Sequence, residues 1–309
     1  GDANHDLQLP FPVIRMAGRS WGQWQGTWAA LQTLPRLRSG DRVICATWKL
    51  ATGMKKWTRA KGARLGIAFH GSDLTQLEAP CQALVDVCQQ ADALLPVSQF
   101  LARELGRLGV GQSSTTLPMP LRWAAQPYTD GVVDPAERRG LITVARLTAL
   151  KGIDRSIAIA AQLKEPISIV GDGPAHTDLI DQATGASDGD APPVSFTGRL
   201  SRQQTALAMA KAKALLLLPR TLPSGRGAEG LGLVLLEAAA LGIPVVGCNT
   251  GGVPEAVGPG LILEQPDAPN ISRIESFIND PDVGVQAQKW VHRHHGPTPC
   301  LAALRRALP

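Results

Sequence analysis

The sequence predicts a two-domain α/β protein built on parallel sheets. Apolar runs bounded by turn residues alternate with helical patterns almost throughout the chain, which is the rhythm of strands joined by helical crossovers. A length of 309 residues gives room for two domains of ordinary size. The segment Pro120–Arg139 breaks the rhythm with mixed polarity and no clear period, so it reads as a linker between the halves.

In the first half, strands are expected at Val13–Met16, Arg42–Ala46, Leu65–Phe69, Ala93–Val97 and Ser114–Leu117. Ser98 directly follows the fourth of these and suits the N-cap of the next helix. Strands in the second half are expected at Leu141–Ala145, Ile167–Val170, Val194–Thr197, Ala214–Leu218 and Pro244–Cys248. The domains then read as 1–122, a linker 123–138, a second domain 139–285, and a helical tail 286–309 that packs back on the first. Asp188-Gly-Asp190 lies among Gly, Ser and Pro and reads as a solvated turn, with a metal-binding pair as the alternative.

Hydrophobic residues make up 44% and charged residues 18%, a balance expected of a soluble globular chain. No apolar run approaches the ~18 residues of a membrane span. Leu215–Leu218 is bounded by Lys213 and Pro219. Five cysteines without a Cys-x-x-Cys pair argue against a disulfide framework or zinc site and suggest a reducing cytoplasm. The net charge of +5 suits anionic nucleotides or an anionic membrane surface, and nothing suggests nucleic acid. The chain starts at Gly1 with no signal-like segment, as if a longer precursor or a tag had been trimmed.

The most informative stretch is Gly227-Ala-Glu229-Gly-Leu-Gly-Leu-Val-Leu-Leu-Glu237, followed by an Ala-rich helix, Gly242 and a Pro-Val-Val strand. A helix N-terminus presents free N–H groups and a positive dipole end, so Gly230, Leu231, Gly232 and Leu233 could receive a diphosphate. Counting helical rise across the eight positions from Glu229 places Glu237 two turns in, about 12 Å away. One acid could then meet a sugar and the other a ribose. The alternative is an ordinary αβ unit with two solvated glutamates. Arg146 and Lys151 follow the strand ending at Ala145, where an open α/β sheet usually binds its ligand. Gly173 closes a tight turn after another strand, leaving room for a base or phosphate.

This spacing resembles the Glu-x7-Glu signature of retaining glycosyltransferase family 4. The pattern Ala-Arg146-Leu-x3-Lys151-Gly resembles that family's pyrophosphate clamp. Phe-Thr-Gly-Arg199-Leu200 matches the segment whose backbone meets the nucleobase, and His70-Gly-Ser-Asp73 is similar to the family's His-Gly-Thr/Ser-Asp motif. The resemblance runs from about Asp41 to Gly258. It implies a GT-B fold, two Rossmann-like domains facing a central cleft. It also implies retaining, metal-independent transfer from a nucleotide diphosphate sugar to an acceptor hydroxyl in surface-glycan or glycolipid synthesis, with no cofactor. Within it, His70, Arg146, Lys151 and Glu229 are the catalytic candidates. Gly173, Arg199, Leu200, Gly230–Leu233 and Glu237 bind the donor, with a UDP-sugar placed ahead of a GDP-sugar. The family's first strand, glycine-rich loop and long helix have no counterpart before Pro10. A sugar-nucleotide epimerase, a phosphorylase-like enzyme and a non-catalytic nucleotide-sugar-binding scaffold are the other readings.

Lys49, Lys55, Lys56, Arg59, Lys61 and Arg64 cluster with Trp48 and Trp57 on a short helical stretch. Such a stretch is either a solvated face or a peripheral contact with an anionic membrane holding a lipid-linked acceptor. Trp21, Trp24 and Trp28, at helical spacing, read as core. His292, His294 and His295 read as helix-end residues rather than metal ligands.

Overall fold

A computed structural model describes residues 37–111, 114–119, 121, 134–185, 192–222 and 227–309. The expected strand Val13–Met16, the Trp21/Trp24/Trp28 stripe, Asp188, Asp190 and most of the linker fall outside the described residues.

The N-terminal half runs β1 (Arg42–Cys45), α1 (Trp48–Ala60), β2 (Arg64–Phe69), α2 (Ser72–Thr75), α3 (Gln82–Gln90), β3 (Ala93–Pro96) and α4 (Gln99–Arg107). Its strands form a parallel sheet in the order β1-β2-β3. Every residue of β2 after Arg64 is buried, as a central parallel strand covered on both faces requires. Ser114–Leu117 does not complete a further strand. Ser114 bridges Leu94, and Leu117 donates to the Pro96 carbonyl at 2.8 Å, so the segment runs beside β3 without a regular ladder.

The C-terminal half runs β4 (Leu141–Val144), α5 (Ile153–Leu163), β5 (Ile167–Val170), α6 (His176–Gly185), β6 (Val194–Gly198) and α7 (Arg202–Ala210). It continues through β7 (Ala214–Leu216), α8 (Leu233–Ala240), β8 (Val245–Cys248), α9 (Val253–Val257), β9 (Leu261–Leu263) and α10 (Ile271–Ile278). The six strands are parallel, in the order β6-β5-β4-β7-β8-β9, so strand order reverses between β4 and β7. That reversal opens a crevice at the strands' C-terminal edge, the usual ligand position of such sheets.

β7 ends two residues before the expected Leu218. The Leu218 carbonyl turns instead toward the Arg155 guanidinium, while Leu217 keeps one bond to Val246. β9 was not expected, because three apolar residues are too short a run to separate from a loop by periodicity.

Two helices close the chain, α11 (Pro281–His295) and α12 (Pro297–Ala307). α11 packs on α8 in the C-terminal half, so the boundary expected between residues 285 and 286 falls inside one continuous helix. α12 lies against β3, where Cys300, Ala303 and Leu308 share a buried cluster with Ala93, Leu95 and Leu117. Arg42 Nε donates to the Leu308 carbonyl at 2.6 Å and pins that end to β1. A larger buried cluster joins Leu65, Phe69 and Leu101 of the first half to Leu217, Leu235 and Ala256 of the second. Among the described residues, no helix is long and apolar enough to cross a membrane.

His295 sits where α11 hands the chain back, 8% exposed, its carbonyl accepting from Leu121 N–H at 3.2 Å. Burial lowers its pKa from 6.5 to about 4, against a hydrogen bond to the Met119 backbone that favours the charged ring. The folded value lies below the unfolded one, so burial of the neutral ring contributes fully above pH 6.5. That contribution is lost as the pH falls toward 4, by up to about 3 kcal/mol. Urea unfolding across this window should show the loss, and His295→Leu should flatten it; an unchanged slope in the variant would assign the acid sensitivity elsewhere.

Candidate functional site

The loops after β4 and β7 diverge at the sheet's reversal point and carry the candidate residues with them. Arg146 is exposed two residues beyond β4. A 3₁₀ turn, Ala149–Lys151, then brings Lys151 back toward the β7 loop, where its ammonium pairs with the Glu229 carboxylate. The two loops are stitched together around this pair. Gly152 adopts φ +62, and a Cβ there would stand 1.9 Å from the Leu218 carbonyl oxygen. Arg220 N–H donates to Leu150 O at 2.9 Å, and Arg155 reaches the Leu218 and Pro219 carbonyls while pairing with Asp267.

Gly230, Leu231, Gly232 and Leu233 lead into α8 as expected. Gly232 is its N-cap in the left-handed region at φ +86, and no side chain caps the helix. The first N–H groups and the positive dipole end therefore lie beside the crevice that Lys151 borders. Glu237 does not stand two turns in. The backbone from Glu229 to Gly232 is a turn, so helical rise starts only at Leu233 and Glu237 is the fifth helical residue. Burial pushes the Glu237 carboxyl up, with Arg202 pulling it partly back.

Gly173 and Arg199 follow β5 and β6 at the same edge. A Cβ on Gly173 would meet the Leu147 carbonyl oxygen at 2.3 Å, so close backbone packing already requires glycine there. Arg199 and Asp172 stand 3.7 Å apart with side chains 79% and 58% exposed, a pair of little energetic weight. Leu200 is half-buried against the core.

The opposite wall comes from the N-terminal half. His70 is exposed just past β2, and its carbonyl lies against Gly230, where a Cβ would approach it to 2.6 Å. Asp73 Oδ1 accepts from Gly71 N–H at 3.0 Å, whereas Oδ2 is buried and unpartnered. Burial raises the Asp73 carboxyl, and the Gly71 hydrogen bond and His70 oppose that. Gly227 N–H also donates to the Thr75 carbonyl across the cleft at 2.8 Å.

Ser98 caps α4 as expected, accepting from Leu101 N–H at 3.1 Å. Its hydroxyl also donates to the Gly230 carbonyl at 2.6 Å, a contact that sequence could not supply because the partners lie 132 positions apart. Glu255, in the Gly-Gly-Val-Pro-Glu run, likewise carries no local signal of its role and also crosses between the halves. Trp48 does not share the exposed basic face of α1. It is 8% exposed, and its indole N–H donates to the Asp73 carbonyl at 3.3 Å. A hollow of about 860 Å³ lies away from all of these, beside the N-terminal ends of β4, β7 and β8, and is lined by Arg138, Leu207, Gly242 and Val285.

A family model described as "Glycosyl transferases group 1" matches residues 132–291. The chain is 29% identical over 301 residues to a GDP-mannose-dependent monoacylated alpha-(1-6)-phosphatidylinositol monomannoside mannosyltransferase of Corynebacterium glutamicum, covering 90% of this chain and 77% of that one. It is also 29% identical over 239 residues to a GDP-mannose-dependent alpha-(1-6)-phosphatidylinositol monomannoside mannosyltransferase of Mycolicibacterium smegmatis, covering 72% and 62%. Among solved structures, Anabaena Alr3699/HepE in complex with UDP superposes with a TM-score of 0.67 at 17% identity, covering 92% of this chain and 81% of that one. That last likeness concerns the fold.

Backbone crowding around Gly230 makes a direct test of the wall-to-wall packing. Gly230→Ala should cost about 1–3 kcal/mol in denaturant unfolding, because its methyl would meet backbone that has no room to retreat. Gly106→Ala, where a Cβ meets nothing within 4 Å, should be neutral or stabilising. Equal behaviour of the two variants would mean that the walls separate at no cost.

Proposed function

Because this chain belongs to the glycosyl transferases group 1 family, we propose that it is a retaining, metal-independent transferase moving a sugar from a nucleoside diphosphate sugar to a hydroxyl of a lipid-linked acceptor. The observation that carries the reading is the uncapped N-terminus of α8 opening beside the Lys151–Glu229 pair at the sheet's reversal point. Preorganised N–H groups and cations at that spot meet charge where it develops on a departing diphosphate.

In this reading Arg146 and Lys151 hold the diphosphate, and Lys151 leaves Glu229 for the stronger negative charge when the donor arrives. Glu229, released, accepts from sugar hydroxyls, while Glu237 receives the ribose and His70 closes the cleft over the sugar. Gly173, Arg199 and Leu200 line the nucleobase end. The bond from the anomeric carbon to phosphate oxygen breaks, and one to the acceptor oxygen forms on the same face. The acceptor proton passes to the departing phosphate, with no protein nucleophile. The names of the two relatives favour GDP-mannose as the donor to test first, ahead of the UDP-sugar that sequence put forward.

Incubation with GDP-mannose, UDP-sugars and mannosylated phosphatidylinositol acceptors tests the reading, with the product's anomeric configuration read by NMR. Retention, transfer undiminished by EDTA, and about a 100-fold loss of turnover in Arg146→Ala and Lys151→Ala are expected. Inversion of configuration, or rescue of an EDTA-treated enzyme by Mn²⁺, would overturn the mechanism.

The acceptor side rests on α1. Lys49, Lys56, Arg59, Lys61 and Arg64 are exposed, Lys55 is half-buried, and Trp57 is 36% exposed. Each cation near anionic lipid contributes about 1 kcal/mol, screened beyond a Debye length of about 8 Å at physiological salt. Co-sedimentation with phosphatidylinositol vesicles should therefore fall with salt. Lys55→Glu with Lys56→Glu should weaken it at least about tenfold. Binding that ignores both would make the face a solvated one and favour a water-soluble acceptor.

A further inference from the structure

We propose that Glu255 is a positioning residue for sugar transfer, acting with Ser98 as a latch between the two halves that fixes the turn Glu229–Gly230 only when the cleft is shut. The proposal rests on the reading of that turn as part of the donor site.

Glu255 lies in the first turn of α9, on the C-terminal half. Its two carboxylate oxygens accept from the first two N–H groups of α4, on the N-terminal half, Gln99 at 2.6 Å and Phe100 at 2.7 Å. A carboxylate facing two free N–H groups at a positive helix end makes charge-assisted hydrogen bonds, roughly twice as strong as neutral ones. The third N–H of α4, Leu101, is taken by Ser98 Oγ at 3.1 Å. Each of the first three donors of this helix is therefore satisfied, two of them by the opposite half.

Ser98 is fully buried and spends its own proton on the Gly230 carbonyl at 2.6 Å. The next residue back, Glu229, accepts at its carbonyl from Gly252 N–H at 2.8 Å, one residue before α9 begins. The contacts close into a ring: Glu255 to α4, α4 through Ser98 to Gly230, and the adjoining Glu229 through Gly252 back to α9. Parting the halves breaks the bonds to Glu255 and Ser98 together. The turn that carries Glu229 then keeps its link to Gly252 and loses the one that orients Gly230. Displacement of a catalytic group by about 1 Å costs on the order of 100-fold in rate, so small openings at the latch have large effects on turnover.

The test uses full-length protein with GDP and GDP-mannose as probes. Glu255→Ala should lower kcat about 100-fold while the Kd for GDP changes less than about threefold, because the nucleotide contacts lie within the C-terminal half. Glu255→Asp, which keeps the charge, should recover part of the loss. Small-angle scattering of the Ala variant should shift to a larger radius of gyration with GDP present. Gln99→Pro makes the independent test. Proline suits the first helical position and removes one latch donor without touching α9 or the donor loop, so kcat should fall about tenfold with GDP affinity unchanged. This second variant also serves if Glu255→Ala fails to fold. Normal kcat in Gln99→Pro, or a loss of GDP affinity that parallels kcat with unchanged scattering, would overturn the latch. If the wild-type chain transfers no sugar, the functional reading fails by itself, and the scattering of the variants still decides the latch.

Discussion

The cleft depends on backbone packed against backbone at one point. Gly230 sits between the His70–Gly71 turn of one half and the Gly251–Gly252 turn of the other. A Cβ on Gly252 would stand 2.1 Å from the Gly230 oxygen, and one on Gly251 would stand 2.3 Å from the Glu229 oxygen. A side chain at Gly230 or Gly71 would hold the halves apart, and one at Gly251 or Gly252 would push the turn that enters α8 out of place. Glycine leaves the peptide groups themselves as the surface, so the carbonyls of residues 229 and 230 can be claimed by Gly252 and Ser98. The same turn carries Glu229 to Lys151. Packing, hydrogen bonding and charge therefore converge on a few residues whose shared requirement is the absence of a side chain at position 230.

That convergence gives the Lys151–Glu229 pair a second meaning. Its side chains are only 25% and 14% exposed, so neither charge is fully hydrated, and removal of either partner strands the other. A diphosphate entering at the α8 N-terminus brings negative charge to a place where Glu229 is already negative. Lys151, already paired with Glu229, could serve only one of the two charges fully. Under the proposed mechanism, the acid that pairs with Lys151 is the one that donor binding would free for the sugar. Arg146 has no ion pair with a described residue, and so needs no such exchange.

Hydrophobic pattern made most of this fold legible. Eight of the expected strands coincide with observed ones to within a residue or two, because parallel strands between helices are continuous apolar runs whatever surrounds them. The misses share a cause. The length of β9, the failure of Ser114–Leu117 to complete a ladder, and the burial of Trp48 are each decided by contacts from distant chain. Trp48 sat in a basic segment, and only the position of the Asp73 carbonyl shows which way the indole points. Glu237 falls short of two turns because helical rise does not apply to the turn before left-handed Gly232, where the helix starts. The motif residues at the strand ends were legible because ordered spacing survives without geometry. Glu255 and the Ser98–Gly230 bond were not, because their partners lie 155 and 132 positions away.

The two halves meet at two places that differ in kind, and the difference suggests how the molecule moves. At one, α11 and α12 carry the chain across in continuous helix and tight turn, with His295, Leu121 and the Cys300–Leu308 cluster packed around the crossing. Side-chain packing there is mostly apolar and the chain is continuous, so the crossing can bend without its contacts being exchanged. At the other, the bonds are polar: Glu255 to α4, Ser98 to Gly230, and Thr75 to Gly227. Polar contacts at the lip of a cleft can be traded for water at a small net cost, whereas an apolar crossing cannot. An opening motion would therefore pivot at the helical crossing and part first at the polar lip around Gly230, while the buried cluster of Leu65, Phe69 and Leu101 with Leu217, Leu235 and Ala256 limits how far it goes.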